Sequence, residues 1–237
     1  MLEQADAVIS VSREIRNNFI KKSAAVDGKK FYIIPNGFDA DDFSVSQPAP
    51  ENEFCITYTG TIAASYNPDV FFQALENVIQ KNRDVKFKMK FVGSVYDELV
   101  DRIKTSGLSS LTEFVPTVSH EEAIRFMLSS TILLLAIPQA ENEKGILTGK
   151  LFEYLAAGKP IINIGPVDGE AAEIISECAA GKTFDRSNSM IVEQHLLGLV
   201  ERWKRNSTLD ITGNEIKKYS RSEQAKKLSE IILGISG

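Results

Sequence analysis

Short apolar runs alternate along this chain with longer stretches in which apolar residues recur at helical spacing, the pattern of successive strand–helix–strand units around a largely parallel sheet. The runs predict strands over 7–11, 30–34, 54–59, 86–92, 111–114, 132–136, 160–164 and 181–183, most of them rich in Val, Ile, Phe and Tyr. The amphipathic stretches predict helices over 13–22, 68–80, 96–104, 120–128, 150–157, 169–177 and 190–205. Three local signals sharpen the boundaries. Asn67-Pro68 places a cap residue ahead of a proline in the first helical turn, Ser119-His120-Glu121-Glu122 reads as a capping box, and Gly158 follows Ala156-Ala157 as a helix stop. The expected fold is therefore α/β, a doubly wound, Rossmann-like parallel sheet.

Periodicity vanishes over 44–53 (SVSQPAPENE), where two prolines fall close together, so the chain reads as two pieces joined by a linker at 46–53. Residues 1–45 hold one strand, one helix and a second strand, too little for an independent core. This piece is expected to dock on the remainder or to be the tail of a preceding domain. Residues 54–237 supply six strands, enough for one complete doubly wound domain.

Composition adds exclusions. With 43% hydrophobic and 25% charged residues the chain reads as an ordinary globular protein, and its net charge of −5 argues against a broad nucleic-acid surface. Cys55 and Cys178 lie in apolar surroundings without metal or redox spacing and are expected to be buried thiols. His120 and His195 give a metal site or serine-type triad little to work with, so no metal and no cofactor is expected. The N-terminus lacks the basic and apolar regions of a signal peptide, and the most apolar run, TILLLAIP, is only strand-sized. A cytoplasmic location is expected, and the sequon Asn206-Ser207-Thr208 is read as chance.

The most informative segment is 132–162 (ILLLAIPQAENEKGILTGKLFEYLAAGKPII). A buried strand ends at Ile137-Pro138, a polar loop follows, and a helix begins near Gly149-Lys150. In a parallel sheet such a loop lies at the carboxyl ends of the strands, where ligands bind. Gly145 and Gly149 let backbone approach a ligand, unpaired N–H groups at the helix start favour an anion, and Lys150 adds a full charge. Phosphate is the natural guest. The likeness of 145–150 to a nucleotide-binding P-loop fails, being one residue short and having Leu151 where Ser or Thr would hold magnesium. Glu153, one turn into the helix, reads either as a structural partner of the helix end or as an acceptor for ribose hydroxyls.

KLFEYLAAGKPII after a proline-ended strand resembles the donor-site signature of family four, the group 1 retaining glycosyltransferases with the GT-B fold. ADAVISVSREIRNNF with FYIIPNGFDADDF resembles the last strand, helix and crossover of that family's N-terminal domain. FCITYTGTI with NPDVFFQAL, and then FKMKFVGS, resemble the opening of its C-terminal, donor-binding domain. The resemblance spans nearly the whole chain in order. It implies a transferase moving a sugar, with retention, from a nucleoside-diphosphate sugar to the hydroxyl of a carbohydrate or lipid-linked acceptor. By the same resemblance Glu153 binds the ribose, the backbone of Thr148 and Gly149 with Lys150 holds the diphosphate, Gly60 and Thr61 approach it from the first turn, and Val115 and Pro116 line the base pocket.

The sequence also departs from the family. Where the usual signature has a first glutamate, eight positions before Glu153, stands Gly145, leaving Glu143 or Glu141 to reach the sugar, and the basic pair usual after the first glycine turn is absent. Lys150 and Glu143 are the candidate catalytic residues. Most of an N-terminal domain is missing by this comparison, so donor binding with little transfer is expected of a chain that reads as a piece of a longer enzyme. Its tail, 219–232, is expected to pack back on the N-terminal domain with part of its surface exposed. Peripheral attachment of the longer enzyme at the inner membrane stays open. So do two rivals: a non-catalytic nucleotide-sugar-binding or interaction module, and an epimerase, for which no acid and base side chains are evident.

Overall fold

A computed structural model describes residues 2–22, 27–44, 52–206, 208–211 and 213–236. Six strands form one parallel sheet: β3 (Phe54–Thr59), β4 (Phe87–Val92), β5 (Thr112–Val115), β6 (Ile132–Ala136), β7 (Ile161–Ile164) and β8 (Gly181–Phe184), in spatial order β5-β4-β3-β6-β7-β8. β3 is buried at every position because helices cover both faces of the sheet, which is why it reads as an unbroken apolar run. β6 divides its side chains by strand alternation: Ile132, Leu134 and Ala136 enter one core, Leu133 and Leu135 the other.

The first core is closed by α2 (Asp69–Lys81), α3 (Asp97–Lys104) and α7 (Ser189–Asn206), the second by α4 (His120–Ser129), α5 (Gly149–Ala157) and α6 (Glu170–Glu177). The chain runs outward from β3 through β4 to β5, then returns across β3 to start β6 on its other side. The order reverses between β3 and β6, and such a switch point leaves a crevice at the strands' carboxyl ends.

Element boundaries fall within one or two residues of the sequence pattern, and α5 begins at Gly149. Ser119 makes the expected capping box with Glu122, and Gly158 ends α5 in the left-handed region at φ 70°. The cap expected at Asn67 is not made. Asn67 ends the 3-10 turn Ala64–Tyr66 with φ 33°, and Pro68 takes the N-cap position without a side-chain bond. Proline disfavours α geometry in the residue before it, and asparagine tolerates the left-handed alternative.

The small N-terminal piece docks on the larger one. β1 (Val8–Ser10) pairs in parallel with β2 (Phe31–Ile33), and α1 (Arg13–Lys21) lies between them in sequence without burying any residue fully. The N–H groups of Arg13 and Glu14, in the first turn of α1, donate to the Glu170 carboxylate at 2.8 and 2.9 Å, and the Arg13 guanidinium pairs with Glu173. Phe38 enters the second core, edge-on to Phe43. The tail helix α8 (Arg221–Ser236) runs against this piece: the Gln224 amide donates to Pro35 O and Asn36 O, and the Lys227 ammonium to Ile33 O. Its outer positions Ile232 and Leu233 stay exposed, in keeping with the expected tail. Most of the linker, residues 45–51, and Ser207 of the sequon lie outside the described residues. Cys55 and Cys178 are buried, and His195 lies half-buried against the Phe184 ring. No helix among the described residues is long and apolar enough to cross a membrane.

Candidate functional site

Three turns converge at the carboxyl end of the central strands. The first follows β3 at Gly60, whose φ of +85° is one that residues bearing a Cβ rarely adopt. The second follows β4 at Gly93, with φ +131°, where a Cβ would sit 2.5 Å from the Gly60 carbonyl oxygen. The third follows β5, where the Val115 carbonyl accepts the Gly93 N–H at 2.9 Å and Pro116 is exposed. These contacts bring Gly60, Thr61 and Val115 to one rim of the sheet.

From the far side of the switch point, α5 delivers Lys150. Its ammonium donates to the Tyr58 hydroxyl at 2.5 Å and to the Thr61 carbonyl at 3.2 Å, and lies 4.2 Å from the Tyr58 ring centroid and 5.3 Å from that of Tyr66. A Cβ at Gly60 would touch its side chain at 3.5 Å. Burial disfavours the charged form and pulls Lys150 down to about 8, against the opposing pull of the Glu153 carboxylate. Burial likewise holds the Tyr58 phenol far above its ordinary value, so it remains a neutral partner.

The start of α5 is open. Thr148 takes the N-cap position in extended geometry, but its hydroxyl makes no cap bond and has no partner among the described residues. The Leu151 N–H donates to the Thr148 carbonyl, while the N–H groups of Gly149 and Lys150 meet no acceptor among the described residues. Nothing lies within 4 Å of where a Gly149 side chain would begin. The start of α5 therefore leaves two backbone donors and the positive end of the helix dipole unpaired, with the Lys150 ammonium anchored toward the Gly60–Thr61 turn. Tyr154 anchors this helix end to the sheet. Its buried hydroxyl accepts from Thr59 N–H at 2.9 Å and from Thr59 Oγ1 at 3.3 Å, and burial pushes its phenol up to about 12.

Glu153 sits on the next turn of α5, part-exposed, with His120 Nδ1 4.0 Å from its Oε1. The other candidate carboxylates stand apart. Glu143, in the 3-10 turn Glu143–Gly145, pairs at 3.0 Å with Arg186, whose other nitrogen donates to Ile137 O at 2.5 Å. Glu141 is exposed on the same loop. Gly145 is buried under α1, where a Cβ would lie 2.5 Å from Glu14 Cβ, so packing alone accounts for the missing side chain.

Tyr58, Tyr66, Gly93, His120 and Arg186 were not predicted as site residues. Gly93 left a signal, since FVGS repeats at β4 the glycine turn that TYTG makes at β3. No group of three or more metal-ligating side chains is assembled among the described residues.

A parallel α/β sheet with an open helix start at its switch point is the architecture in which nucleotides and phosphates are commonly bound. Within that architecture the assignment is specific: residues 53–202 match the family model of the glycosyl transferases group 1, and the chain belongs to that family. Its architecture is that of GT-B glycosyltransferases and fits their C-terminal domain. Among solved structures it is similar to Anabaena HepE in complex with UDP (16% identity, TM-score 0.72, covering 97% of this chain and 64% of that one). It is similar also to WaaG, a glycosyltransferase involved in lipopolysaccharide biosynthesis (16% identity, TM-score 0.70, 95% and 62%), and to a glycosyltransferase from Rickettsia africae (17%, 0.68, 97% and 63%). At such identity the likeness is one of fold. The chain spans less than two thirds of the length of these structures. No curated protein matches by sequence.

Proposed function

We infer that this chain supplies the donor-binding half of an enzyme that transfers a sugar, with retention at the anomeric carbon, from a nucleoside-diphosphate sugar to an acceptor hydroxyl. The observation that carries this reading is Lys150, held by Tyr58 OH and Thr61 O beside the open start of α5. UDP in the HepE structure supports a nucleoside diphosphate as the anion bound here. The backbone of Thr148 and Gly149 with Lys150 takes the diphosphate, Gly60 and Thr61 close on it from β3, Glu153 takes the ribose hydroxyls, and Val115 and Pro116 border the base.

Breaking the bond between sugar and diphosphate builds negative charge on the leaving phosphate. Donors already aimed at that position stabilise the transition state without reorganising. The N–H groups of α5 and the Lys150 ammonium are such donors, supplied by the chain itself.

Calorimetric titration with UDP-, GDP- and ADP-sugars tests the reading. One of them is expected to bind, with affinity reduced by both Lys150→Ala and Glu153→Gln. In the full-length enzyme Lys150→Ala is expected to lower turnover by about 10²–10³, the cost of removing one oxyanion donor elsewhere. Unchanged turnover would reject the assignment, and the anomeric configuration of the first-formed product, read by NMR, decides retention.

A further inference from the structure

Glu153 is held between two neighbours. On one side is Lys150 of its own helix, whose charge it favours; on the other is His120, the first residue of α4. The imidazole faces two carboxylates from different parts of the chain: Nδ1 lies 4.0 Å from Glu153 Oε1, and Nε2 donates to Asp42 Oδ2 at 3.2 Å. Asp42 belongs to the 3-10 turn Asp41–Phe43, in the crossover leading out of the N-terminal piece. The capping box of Ser119 and Glu122 holds the helix start that carries His120, so the ring projects from a rigid support although 56% of its side chain is exposed.

We propose that His120 is a positioning residue for Glu153: anchored by Asp42, its ring stands beside the Glu153 carboxylate and limits where that carboxylate can swing. The inference rests on the proposed role of Glu153. The Asp42–His120–Glu153 chain also makes ribose recognition depend on the crossover segment, since loss of the Asp42 anchor frees the ring. A carboxylate receiving two hydroxyls gains most when its orientation is set before the ligand arrives.

Ribose selectivity separates this role from a merely structural one. The affinities of wild type, Glu153→Gln, His120→Ala and His120→Asn are measured by calorimetry. The ligands are the tightest binder among UDP, GDP and ADP, and its 2′,3′-dideoxy counterpart, with circular dichroism confirming that each variant is folded. Wild type is expected to prefer the ribonucleotide, and Glu153→Gln to abolish that preference. His120→Ala is expected to cut the preference by up to about fivefold, the size of an exposed charge pair, while leaving dideoxynucleotide affinity unchanged. His120→Asn, which lacks the Nε2 that Asp42 anchors, is expected to lose the preference as His120→Ala does. If Glu153→Gln removes the preference but His120→Ala leaves it intact, or weakens both nucleotides equally, His120 does not position Glu153 and the ribose role of Glu153 stands. A wild type without ribose preference overturns the role of Glu153, and this inference with it.

Discussion

Burial against Tyr58 and Tyr66 draws the Lys150 ammonium down to about 8, while a bound diphosphate acts in the opposite direction by favouring the charged form. Without a diphosphate beside it, Lys150 is therefore charged below about pH 8 and loses that charge as pH rises further. The complex keeps the charge to higher pH. Nucleotide affinity is accordingly expected to be level up to about pH 8 and then to fall, because each binding event must take up a proton. Calorimetry in two buffers of different ionisation enthalpy checks this: proton uptake appears above pH 8 in wild type and is absent in Lys150→Arg, whose guanidinium stays charged throughout. A flat profile to pH 10 in wild type would show that Lys150 does not meet the anion. The helix start carrying Gly149, Lys150 and Glu153 was legible from sequence because helix starts, glycines and charges are local signals, while their roles toward anion and ribose belong to the proposal. The aromatic cradle was not, since Tyr58 and Tyr66 look like ordinary strand and turn residues until β3 and α5 are brought together.

At the scale of elements, α5 must stand at the correct height against β3 for its start to face the two glycine turns. The buried Tyr154 hydroxyl sets that height by accepting the Thr59 N–H at 2.9 Å, at the end of β3 just before Gly60. Tyr154→Phe keeps the ring but leaves the Thr59 N–H unpaired, costing roughly 1–3 kcal/mol. Chemical denaturation is expected to show that loss, together with weaker nucleotide binding as the start of α5 shifts. Full stability in this variant would mean that packing alone sets the helix. Element identities were readable along nearly the whole chain, because strand and helix periodicities are one-dimensional. The Asn67 cap failed because Asn67 closes the preceding 3-10 turn in the left-handed region instead of taking the extended geometry of an N-cap. The close approach of Gly93 to Gly60 needed the β3–β4 register, in which Thr59 lies opposite Val92.

At the scale of the molecule, the N-terminal piece is attached largely through polar contacts to α6 and α8. The Glu170 carboxylate completes the exposed start of α1, a favourable charge at a positive helix end. Glu170→Ala is expected to raise hydrogen exchange across Arg13–Lys21 by about five- to thirtyfold, the effect of 1–2 kcal/mol. Exchange in β3, β4 and β6 is expected to stay at wild-type rates. Uniform acceleration throughout would instead mean that the two pieces open as one unit.

By itself the sequence determined the α/β class, the strands of the large sheet and the position of the helix start at 148–153 that we propose as the anion site. Periodicity, turn chemistry and the placement of glycine and charge are properties of neighbours along the chain. Only the tertiary structure decided which residues complete that site. Tyr58 and Thr61 hold Lys150 across the switch point, His120 flanks Glu153, Arg186 pairs with Glu143, and Gly145 makes room for Glu14. Each of these joins positions 33 to 131 residues apart, as in Lys150 to Tyr58 (separation 92), Arg186 to Glu143 (43) and Gly145 to Glu14 (131). Such pairings depend on strand order and helix packing rather than on local pattern, so the chain must fold before they exist.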